Sequence, residues 1–225
     1  MRQPRVASGV TPDELDELAP SLEACTAGEI IAWAVRRFGA GLSLVSSFQH
    51  CVLVDLAVRV DPAIDVVYLD TGFAFPESLA FVEQLRQRYQ LDLRVVRPAP
   101  EDECWLPDSE MCCERRKIAP LERALAGRVA WMSGLQRSDS ATRAAAPVLS
   151  WDAARRMAKI NPIATWSAED LERYRRRHGL PEHPLVASGY LSIGCAPCTV
   201  PVAPGAEPRS GRWPGSAKTE CGLHT

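Results

Sequence analysis

The sequence lacks an excess of charge of either sign. Its 225 residues include 26 basic and 28 acidic side chains, which gives a formal net charge of −2. Bulk electrostatics therefore favour neither nucleic acid nor an anionic membrane as a partner, so any anion site must be a local cluster. Internal repeats and low-complexity tracts are also absent. With 46% hydrophobic residues, the chain can form one substantial core, and we expect one domain with extensions.

A long apolar run is missing as well. The apolar stretch Ile30–Val35 is halted by two arginines, well short of the roughly 20 residues of a membrane span. The N-terminus leads into acidic residues around Asp13 rather than an apolar segment, which argues against a signal peptide. We therefore expect a cytosolic protein. Because that compartment keeps thiols reduced, clustered members of the eight cysteines are expected to bind metal or perform chemistry.

The first two thirds of the chain alternates strand-like and helix-like segments. Apolar β-branched runs predict strands, and apolar residues at helical spacing predict the helices between them. The predicted strands are Leu42–Ser46, Asp65–Leu69, Leu91–Val96 and Val129–Ser133, the predicted helices are Val52–Val60, Pro76–Tyr89 and Lys117–Leu125, and Val148–Ile160 is a predicted hairpin. Strands separated by helices form βαβ units, so we expect a mostly parallel sheet with right-handed crossovers.

Polar residues follow three of the predicted strands. They are Ser46-Ser47 after the first, Asp70-Thr71-Gly72 after the second and Gly134–Arg137 after the fourth. Because ligands of open α/β sheets bind beyond the carboxyl ends of the strands, these residues could bind a phosphorylated nucleoside. The same residue types are typical of turns and helix caps, and spacing alone favours that simpler interpretation.

Four cysteines occur as two close pairs, Cys112-Cys113 and Cys195-Ala-Pro-Cys198. Four thiolates suit tetrahedral zinc or an iron–sulfur cluster. Neighbouring residues on a helix point about 100° apart, so adjacent cysteines converge poorly on one zinc ion but can reach two corners of a cubane. That argument favours iron–sulfur. A small buried hydrophobe is the other common role of cysteine, and it is the interpretation given to Cys25, Cys51 and Cys104.

The chain becomes irregular from Gly189 onward and is rich there in glycine, proline and cysteine. Such a tail cannot fold by apolar burial alone, so a metal cluster is the expected source of its order. Near its end, Cys221 is flanked by Lys218 and His224, two cations that would favour the thiolate. A mobile terminal thiol suits covalent catalysis, but terminal segments are also commonly disordered, and spacing leaves both interpretations open.

Together these motifs resemble the assimilatory sulfonucleotide reductases, and within them the cluster-containing adenylyl-sulfate branch. The combination of Cys-Cys, Cys-x-x-Cys and Glu-Cys-Gly-Leu-His is highly specific, and the matches run in the family's order from about residue 28 to the end. The matching segments are Ser46-Ser47, Leu69–Gly72, Cys112–Lys117, Gly134–Arg137, Thr142-Arg143, Gly189–Cys198, Arg209–Arg212 and Lys218–His224.

The resemblance implies an adenine nucleotide α-hydrolase-like fold. This is an α/β, doubly wound, mostly parallel five-stranded sheet with an irregular, cysteine-rich C-terminal tail. Residues 1–27 would form an N-terminal helical arm and residues 28–188 a nucleotide-binding reductase domain. Residues 189–225 would carry cluster ligands and the catalytic cysteine within that same domain. The resemblance also implies a homo-oligomer.

The resemblance further implies thioredoxin-dependent reduction of adenylyl sulfate to sulfite and AMP, in sulfate assimilation and cysteine biosynthesis. Cys221 would attack the substrate sulfur and carry an S-sulfonate, which a thioredoxin-type dithiol would release. The ligands of a 4Fe-4S cluster would be Cys112, Cys113, Cys195 and Cys198. The substrate-binding residues would be Ser46, Ser47, Leu69, Asp70, Thr71, Gly72, Lys117, Arg137, Arg143, Arg209, Arg212 and His224.

The chain departs from the family pattern in its residues at two places, and its segment Pro98–Met111 is also shorter than the family's. Gln49-His50-Cys51 stands where an acidic residue is usual, and Gln136 stands where a first arginine normally precedes Arg137. The first change removes a cap or a ribose contact, and the second removes an anion contact. They leave open a specialised reductase of a secondary pathway, or one that accepts the 3′-phosphorylated substrate.

Two other classes of protein fit parts of the pattern. ATP pyrophosphatases share the architecture but cradle pyrophosphate with a Ser-Gly-Gly-x-Asp-Ser loop, and Ser46–Cys51 has neither the glycines nor the aspartate. A zinc-stapled, non-catalytic binding module would leave Cys221 without a role. Visible absorbance of a brown protein would exclude that module, whereas a colourless protein with one zinc would support it.

Overall fold

The computed structural model describes residues 10–102 and 108–224. Its helices are α1 (Pro12–Glu23), α2 (Ala27–Phe38), α3 (Val52–Val60), α4 (Pro76–Tyr89), α5 (Ser109–Cys113), α6 (Ala119–Leu125) and α7 (Ala168–Arg177). Its strands are β1 (Leu42–Val45), β2 (Asp65–Leu69), β3 (Leu93–Val96), β4 (Ala130–Ser133), β5 (Leu149–Asp152) and β6 (Met157–Ile160).

Helix boundaries follow local hydrogen-bonding signals. At the start of α1, the Thr11 side chain accepts from the Glu14 amide at 3.3 Å, and the Glu14 carboxylate accepts from the Thr11 amide at 2.9 Å. The same reciprocal pair begins α2 and α7. Each capping box satisfies two backbone donors that the first helical turn leaves without partners.

The strands form one sheet in the order β3-β2-β1-β4-β6-β5. Neighbours pair in parallel except β5, which runs antiparallel to β6 at one edge. The mostly parallel, doubly wound sheet is therefore confirmed, but the expected number of five strands is wrong. The predicted hairpin Val148–Ile160 adds two strands to the sheet, because β6 pairs with β4 and β5 then continues the sheet beyond it.

Apolar side chains cover both faces of the sheet. Trp131 and Met132 are successive residues of β4 and therefore point to opposite faces. Met132 lies in the larger core cluster with residues of α2, α3 and α4. Trp131 lies in a smaller cluster with Leu121 of α6, and Leu223 of the tail packs against this second cluster. The tail therefore contributes to the covering of one face.

The N-terminal helix joins the same core. Leu15 and Leu22 of α1 are buried in the larger cluster. At the end of this helix, the Glu23 carboxylate accepts from the Val148 amide at 3.0 Å, next to β5. The division of the chain at residues 27/28 and 188/189 stays a prediction.

The C-terminal segment, residues 189–224, is irregular, as expected. An isolated bridge pairs Thr199 with Arg212, and the Val200 amide donates to the Gly211 carbonyl at 2.9 Å. A Cβ at position 211 would collide with the Val200 carbonyl oxygen, so glycine is required for this close approach. The helices within the described residues are too short or too polar to cross a membrane.

Candidate active site

A pocket of about 470 Å³ opens at the carboxyl ends of the central parallel strands. Ser46 follows β1 in its wall, Leu69 ends β2, and Ser133 ends β4. The strands β1 and β4 are neighbours in space but not in sequence, so the chain connections diverge between them. Open parallel sheets bind ligands at such a point. The volume lies within the usual range of small-molecule sites.

Most of the predicted substrate-binding residues line this pocket, together with the tail cysteine. They are Ser46, Ser47, Leu69, Thr71, Lys117, Arg143, Arg209, Arg212, Cys221 and His224. Lys117 comes from a π-helical turn, Glu114–Ile118, that joins α5 to α6. The other cations come from the loop after β4 and from the tail. Three separate segments thus bring positive charge to one half-buried thiol.

Lys117 stays charged in this setting. Burial disfavours its ammonium, but the electrostatic influence of the neighbouring Cys195 and Cys221 side chains outweighs that effect and raises the pKa of Lys117. A positive charge beside Cys221 is the environment that favours a thiolate nucleophile.

Arg212 is built into the pocket wall. Its guanidinium stacks on Trp213 at 4.6 Å, and its Nη1 donates to Ser192 Oγ at 3.4 Å. A Cβ on Gly194 would collide with this guanidinium, so the glycine makes room for it. Among the described atoms, Arg212 Nε has no hydrogen-bond partner. A buried donor without a partner is a ready contact for an anion in the pocket.

The tail is docked into the pocket by contacts on both sides of Cys221. On one side, Lys218 Nζ donates to the Ser109 carbonyl at 2.9 Å and lies 2.8 Å from the Glu110 carboxylate. On the other, the His224 carbonyl accepts from Lys159 Nζ at 3.3 Å. Cys221 is therefore held between the start of α5 and strand β6.

Glu220, next to Cys221, binds two of the predicted substrate arginines. Its Oε1 accepts from Arg143 Nε at 2.8 Å, and its Oε2 accepts from Arg143 Nη2 at 2.7 Å. Arg209 Nη2 also donates to Glu220 Oε2 at 3.2 Å. The remaining Arg143 nitrogen, Nη1, donates to Asp139 at 2.8 Å. Arg143 therefore faces the pocket with its guanidinium already occupied by two carboxylates.

His224 is a neutral side chain here. Burial of the ring, together with the positive charges of Lys159, Arg143, Arg155 and Arg209, lowers its pKa well below the ordinary value. The ring stacks on Trp131 with centroids 5.8 Å apart. The expectation that His224 supplies a cation to the Cys221 thiol is therefore wrong. A neutral imidazole can still donate or accept one hydrogen bond.

The described walls of the pocket do not include Arg137, Asp70 or Gly72. Arg137 Nη2 donates to Glu23 at 2.7 Å and so ties α1 to the loop after β4. Asp70 pairs with Arg97 at 3.0 Å and accepts from the Gly72 amide at 3.0 Å. These three residues shape the loops around the pocket.

The four paired cysteines lie beside the pocket. Cys112, Cys113 and Cys195 are buried and Cys198 is half-buried. Burial raises the pKa of Cys198, and the nearby Cys195, Cys113 and Cys112 thiols raise it further. Cys195 Sγ lies 3.3 Å from Thr71 Oγ1, at the pocket wall. The two pairs, which are distant in sequence, are therefore close enough in the fold to influence one another electrostatically.

The spacing of these thiols bears on the kind of metal group that they could hold. Within residues 10–102 and 108–224, no three His, Cys, Asp or Glu side chains are grouped closely enough for a metal ion. A single zinc draws all its thiolates to within about 2.3 Å of one point. A cluster offers a separate iron to each thiolate and accepts a wider set. Four largely buried soft donors that are not gathered around one point fit a cluster better than one ion.

The three cysteines that were interpreted as small buried hydrophobes differ in their burial in the structure. Cys51 is buried, as predicted, and burial raises its pKa to about 11. The expectation for Cys25 is wrong, because this residue follows the end of α1 and its side chain is exposed. Cys104 lies outside the described residues.

Gln49 contributes more than the sequence indicated. Its Nε2 donates to the Leu191 carbonyl at 3.3 Å, and its Oε1 accepts from the Ile193 amide at 3.0 Å. An amide side chain can make both bonds, whereas a carboxylate only accepts. Gln49, in the segment where the family usually has an acidic residue, thus joins the loop after β1 to the C-terminal segment. The departure itself was visible in the sequence, but the partner, 142 residues away, was not.

Fold, pocket and thiols together define a class: a doubly wound α/β protein with a cationic strand-end pocket that contains a terminal cysteine. Residues 42–201 match the model of the phosphoadenosine phosphosulfate reductase domain. The chain belongs to this family.

Relatives and a solved structure are similar to this protein over most of its length. An adenosine 5′-phosphosulfate reductase of Mycolicibacterium smegmatis is 44% identical over 229 residues, covering 95% of this chain and 96% of that protein. A phosphoadenosine 5′-phosphosulfate reductase of Gloeobacter violaceus is 44% identical over 236 residues, covering 99% and 98%. The crystal structure of phosphoadenylyl-sulfate reductase from Candida auris, a phosphate complex, superimposes with a TM-score of 0.75 at 25% identity, covering 86% of this chain and 100% of that one.

Proposed function

We propose that this protein reduces adenylyl sulfate to sulfite and AMP, with electrons from a thioredoxin-type dithiol. The observation that carries the proposal is the Cys221 thiol in a strand-end pocket beside Lys117, Arg209 and Arg212. The sulfate group of a phosphosulfate carries negative charge on the oxygens around the sulfur that must be attacked, so a thiolate approaches most readily where fixed cations offset the repulsion. The M. smegmatis relative, an adenosine 5′-phosphosulfate reductase, supports the same substrate.

In the first step, the Cys221 thiolate attacks the sulfur of the phosphosulfate. A sulfur–sulfur bond forms, the bond from sulfur to the bridging oxygen breaks, and AMP leaves with the bonding electrons. Lys117 and Arg212 stabilise the charge that develops on the departing oxygen. The hydroxyls of Ser46 and Ser47 line the pocket after β1, where they can bind the nucleotide. Cys221 is left as an S-sulfonate.

In the second step, one thiolate of the dithiol attacks the Cys221 sulfur. Sulfite leaves, a mixed disulfide forms, and the second thiol of the partner resolves it, which returns Cys221 as a thiolate. The partner must reach the sulfur, so the tail has to leave the pocket. A reduced dithiol is maintained in the cytosol, which is the compartment that we propose for the protein.

We also propose that Cys112, Cys113, Cys195 and Cys198 hold a 4Fe-4S cluster. Their mutual proximity and burial support this assignment. When bound, the cluster supplies electrostatic influence beside the pocket and order to the tail, and it does not carry the electrons of the reaction. The protein's own contribution is to hold two segments, the end of α5 and the Cys195–Cys198 turn, against one another.

The distribution of charge in the pocket supports adenylyl sulfate over its 3′-phosphorylated form. The lysines and arginines in the described walls of the pocket are Lys117, Arg143, Arg209 and Arg212. The loops after β1 and β4 contribute neutral groups such as Gln136, and burial lowers the pKa of His50, so that this imidazole is uncharged. The cation from these loops in the described walls is Arg143, which is already bound by Glu220 and Asp139, so an additional phosphate on the ribose would have no cation from them that is not already paired.

A sulfite assay with thioredoxin tests the proposal. Anaerobically purified protein is supplied with adenylyl sulfate or its 3′-phosphorylated form, and its visible spectrum is recorded. Brown protein that releases sulfite from adenylyl sulfate is the expected result. Brown protein that is inactive on both compounds would reject the substrate and direct attention to another sulfonucleotide, whereas colourless protein with one zinc would reject the cluster.

A further inference from the structure

The proposed reaction places two demands on the tail. Cys221 must be fixed at the substrate sulfur in the first step and must be released to the dithiol in the second. We propose that Glu220 is the positioning residue that holds Cys221 in the pocket, through its ion pair with Arg143. The inference rests on the proposed function for its catalytic consequence, but its structural part can be tested alone.

The side-chain carboxylate of Glu220 makes an extensive set of contacts. Both oxygens of Glu220 are bound by Arg143, at 2.8 and 2.7 Å, in the two-pronged arrangement that fixes orientation as well as distance. Thr142 Oγ1 donates to the same carboxylate at 3.1 Å. Only 16% of the Glu220 side chain and 12% of the Arg143 side chain are exposed, so water weakens this pair less than it weakens a surface pair. Because Glu220 precedes Cys221 directly, this clamp also orients the thiol.

The same geometry reassigns Arg143. Its Nε and Nη2 donate to Glu220 and its Nη1 donates to Asp139, so each of its nitrogens already has a carboxylate partner. These bonds use three of the five guanidinium N–H groups, and the two carboxylates offset the charge of Arg143. A substrate anion that took the place of Glu220 would release Cys221 at the moment when attack is required. Arg143 therefore serves the tail rather than the substrate.

The neighbouring cations remain for the substrate. Arg209 uses one nitrogen, Nη2, for Glu220 and for the Thr219 carbonyl. Arg212 Nε has no partner among the described atoms, and Lys117 lines the pocket. Arg143 is thus committed to the segment that carries the nucleophile, Arg209 binds that segment with one nitrogen, and Arg212 and Lys117 remain for the substrate.

The structural part is tested by alkylation of Cys221, which requires no turnover. Anaerobic wild type and Glu220→Gln are treated with iodoacetamide, and modification is located by peptide mapping. Losing a charged hydrogen-bonded partner should open the tail and speed alkylation of Cys221 about tenfold. The exposed Cys25 provides the internal reference. Glu83→Gln is the matched control, because Glu83 pairs with Arg86 on the surface of α4. Equal rates in wild type and Glu220→Gln would overturn the proposal.

The catalytic part separates binding from attack. Formation of the S-sulfonate should slow roughly tenfold in Glu220→Gln and in Arg143→Ala. In the Cys221→Ser background, which cannot react, both substitutions should leave the affinity for adenylyl sulfate unchanged. If Arg143→Ala weakens that affinity while Cys221 stays protected from alkylation, Arg143 is a substrate contact and the assignment is wrong.

The two levels of failure remain distinguishable. A wild-type protein that forms no S-sulfonate would reject the proposed function, and the alkylation comparison would still decide whether Glu220 holds the tail. A wild type that forms S-sulfonate at the same rate as Glu220→Gln would reject the positioning role and keep the function.

Discussion

The parallel sheet and the C-terminal tail are held together by different forces. The sheet is held by backbone ladders and apolar burial, as at Leu44, which is 0% exposed and lies between β2 and β4. The tail is held by single side-chain contacts such as those of Lys218 and Glu220. The first kind of structure is cooperative, whereas the second can open locally without unfolding the molecule. Two-step chemistry on a tail cysteine needs this combination of a rigid pocket and a releasable nucleophile.

The contrast between a rigid sheet and a releasable catalytic tail requires that the tail carry the nucleophile. The largest expected effect is therefore that of Cys221→Ser. S-sulfonate and sulfite formation should both be abolished, because a hydroxyl at this position is not ionised as a thiolate is. Brown colour and nucleotide affinity should persist, since the sheet and the four paired cysteines are unchanged. Mass spectrometry, a sulfite assay and a binding titration check these outcomes. Sulfite from this variant would contradict the mechanism.

The energetic side of the comparison is tested by removing one leucine from each region. Leu44→Ala deletes fully buried methyl groups from β1 and should lower the free energy of unfolding by about 2–5 kcal/mol. Leu191→Ala, at a tail side chain that is 40% exposed, should change it by less than about 0.5 kcal/mol. Urea denaturation measures both. Similar losses would mean that the tail folds as part of the cooperative core.

The fold was largely predictable, because its signals are local. Apolar runs such as Asp65–Leu69 fix the strands, and pairs such as Thr11 with Glu14 fix helix starts. The sixth strand was not anticipated, since which partner a hairpin joins depends on contacts with β4 that no short segment encodes.

Lys159 lies where the sheet meets the tail and should make stability depend on pH. Burial lowers its pKa to about 8, with Arg155 and Arg143 acting in the same direction against Asp152 and Glu220. Between pH 8 and the ordinary lysine pKa of 10.5, the unfolded chain binds more protons than the folded protein. The free energy of unfolding of the wild type should therefore rise over this window relative to Lys159→Met, by roughly 3 kcal/mol.

Urea denaturation of both proteins at pH 8 and at pH 10.5 measures the difference, and other titrating groups cancel in the comparison. Parallel pH profiles would show that the lysine is hydrated in the folded protein. Water would then reach Lys159 between the sheet and the tail.

The smallest expected effect concerns Gln49, the link between the two regions. Gln49→Leu removes its bonds to Leu191 and Ile193 and should cost about 1 kcal/mol locally, because the partner groups lose a bond. Amide hydrogen exchange near residue 193 should accelerate, with little change in global unfolding. Gln87→Leu on α4 is the control. Unchanged exchange at Ile193 would mean that this link does not order the tail.

The site was predictable in composition but not in pairing. The two cysteine pairs favoured an iron–sulfur cluster, and the resemblance of the tail motif implied covalent sulfur chemistry at Cys221. Which cation serves which group could not be predicted, because Glu220 and Arg143 are 77 residues apart and meet only when the tail docks. The neutrality of His224 likewise depends on Trp131 and Lys159, which lie beside it only in the folded protein.

The most direct test of the account is peptide mapping of anaerobic wild-type protein after incubation with adenylyl sulfate and no reductant. The expected result is one sulfonate group per chain, located on Cys221, together with one equivalent of AMP. AMP release without any protein adduct, or an adduct on a different cysteine, would contradict it.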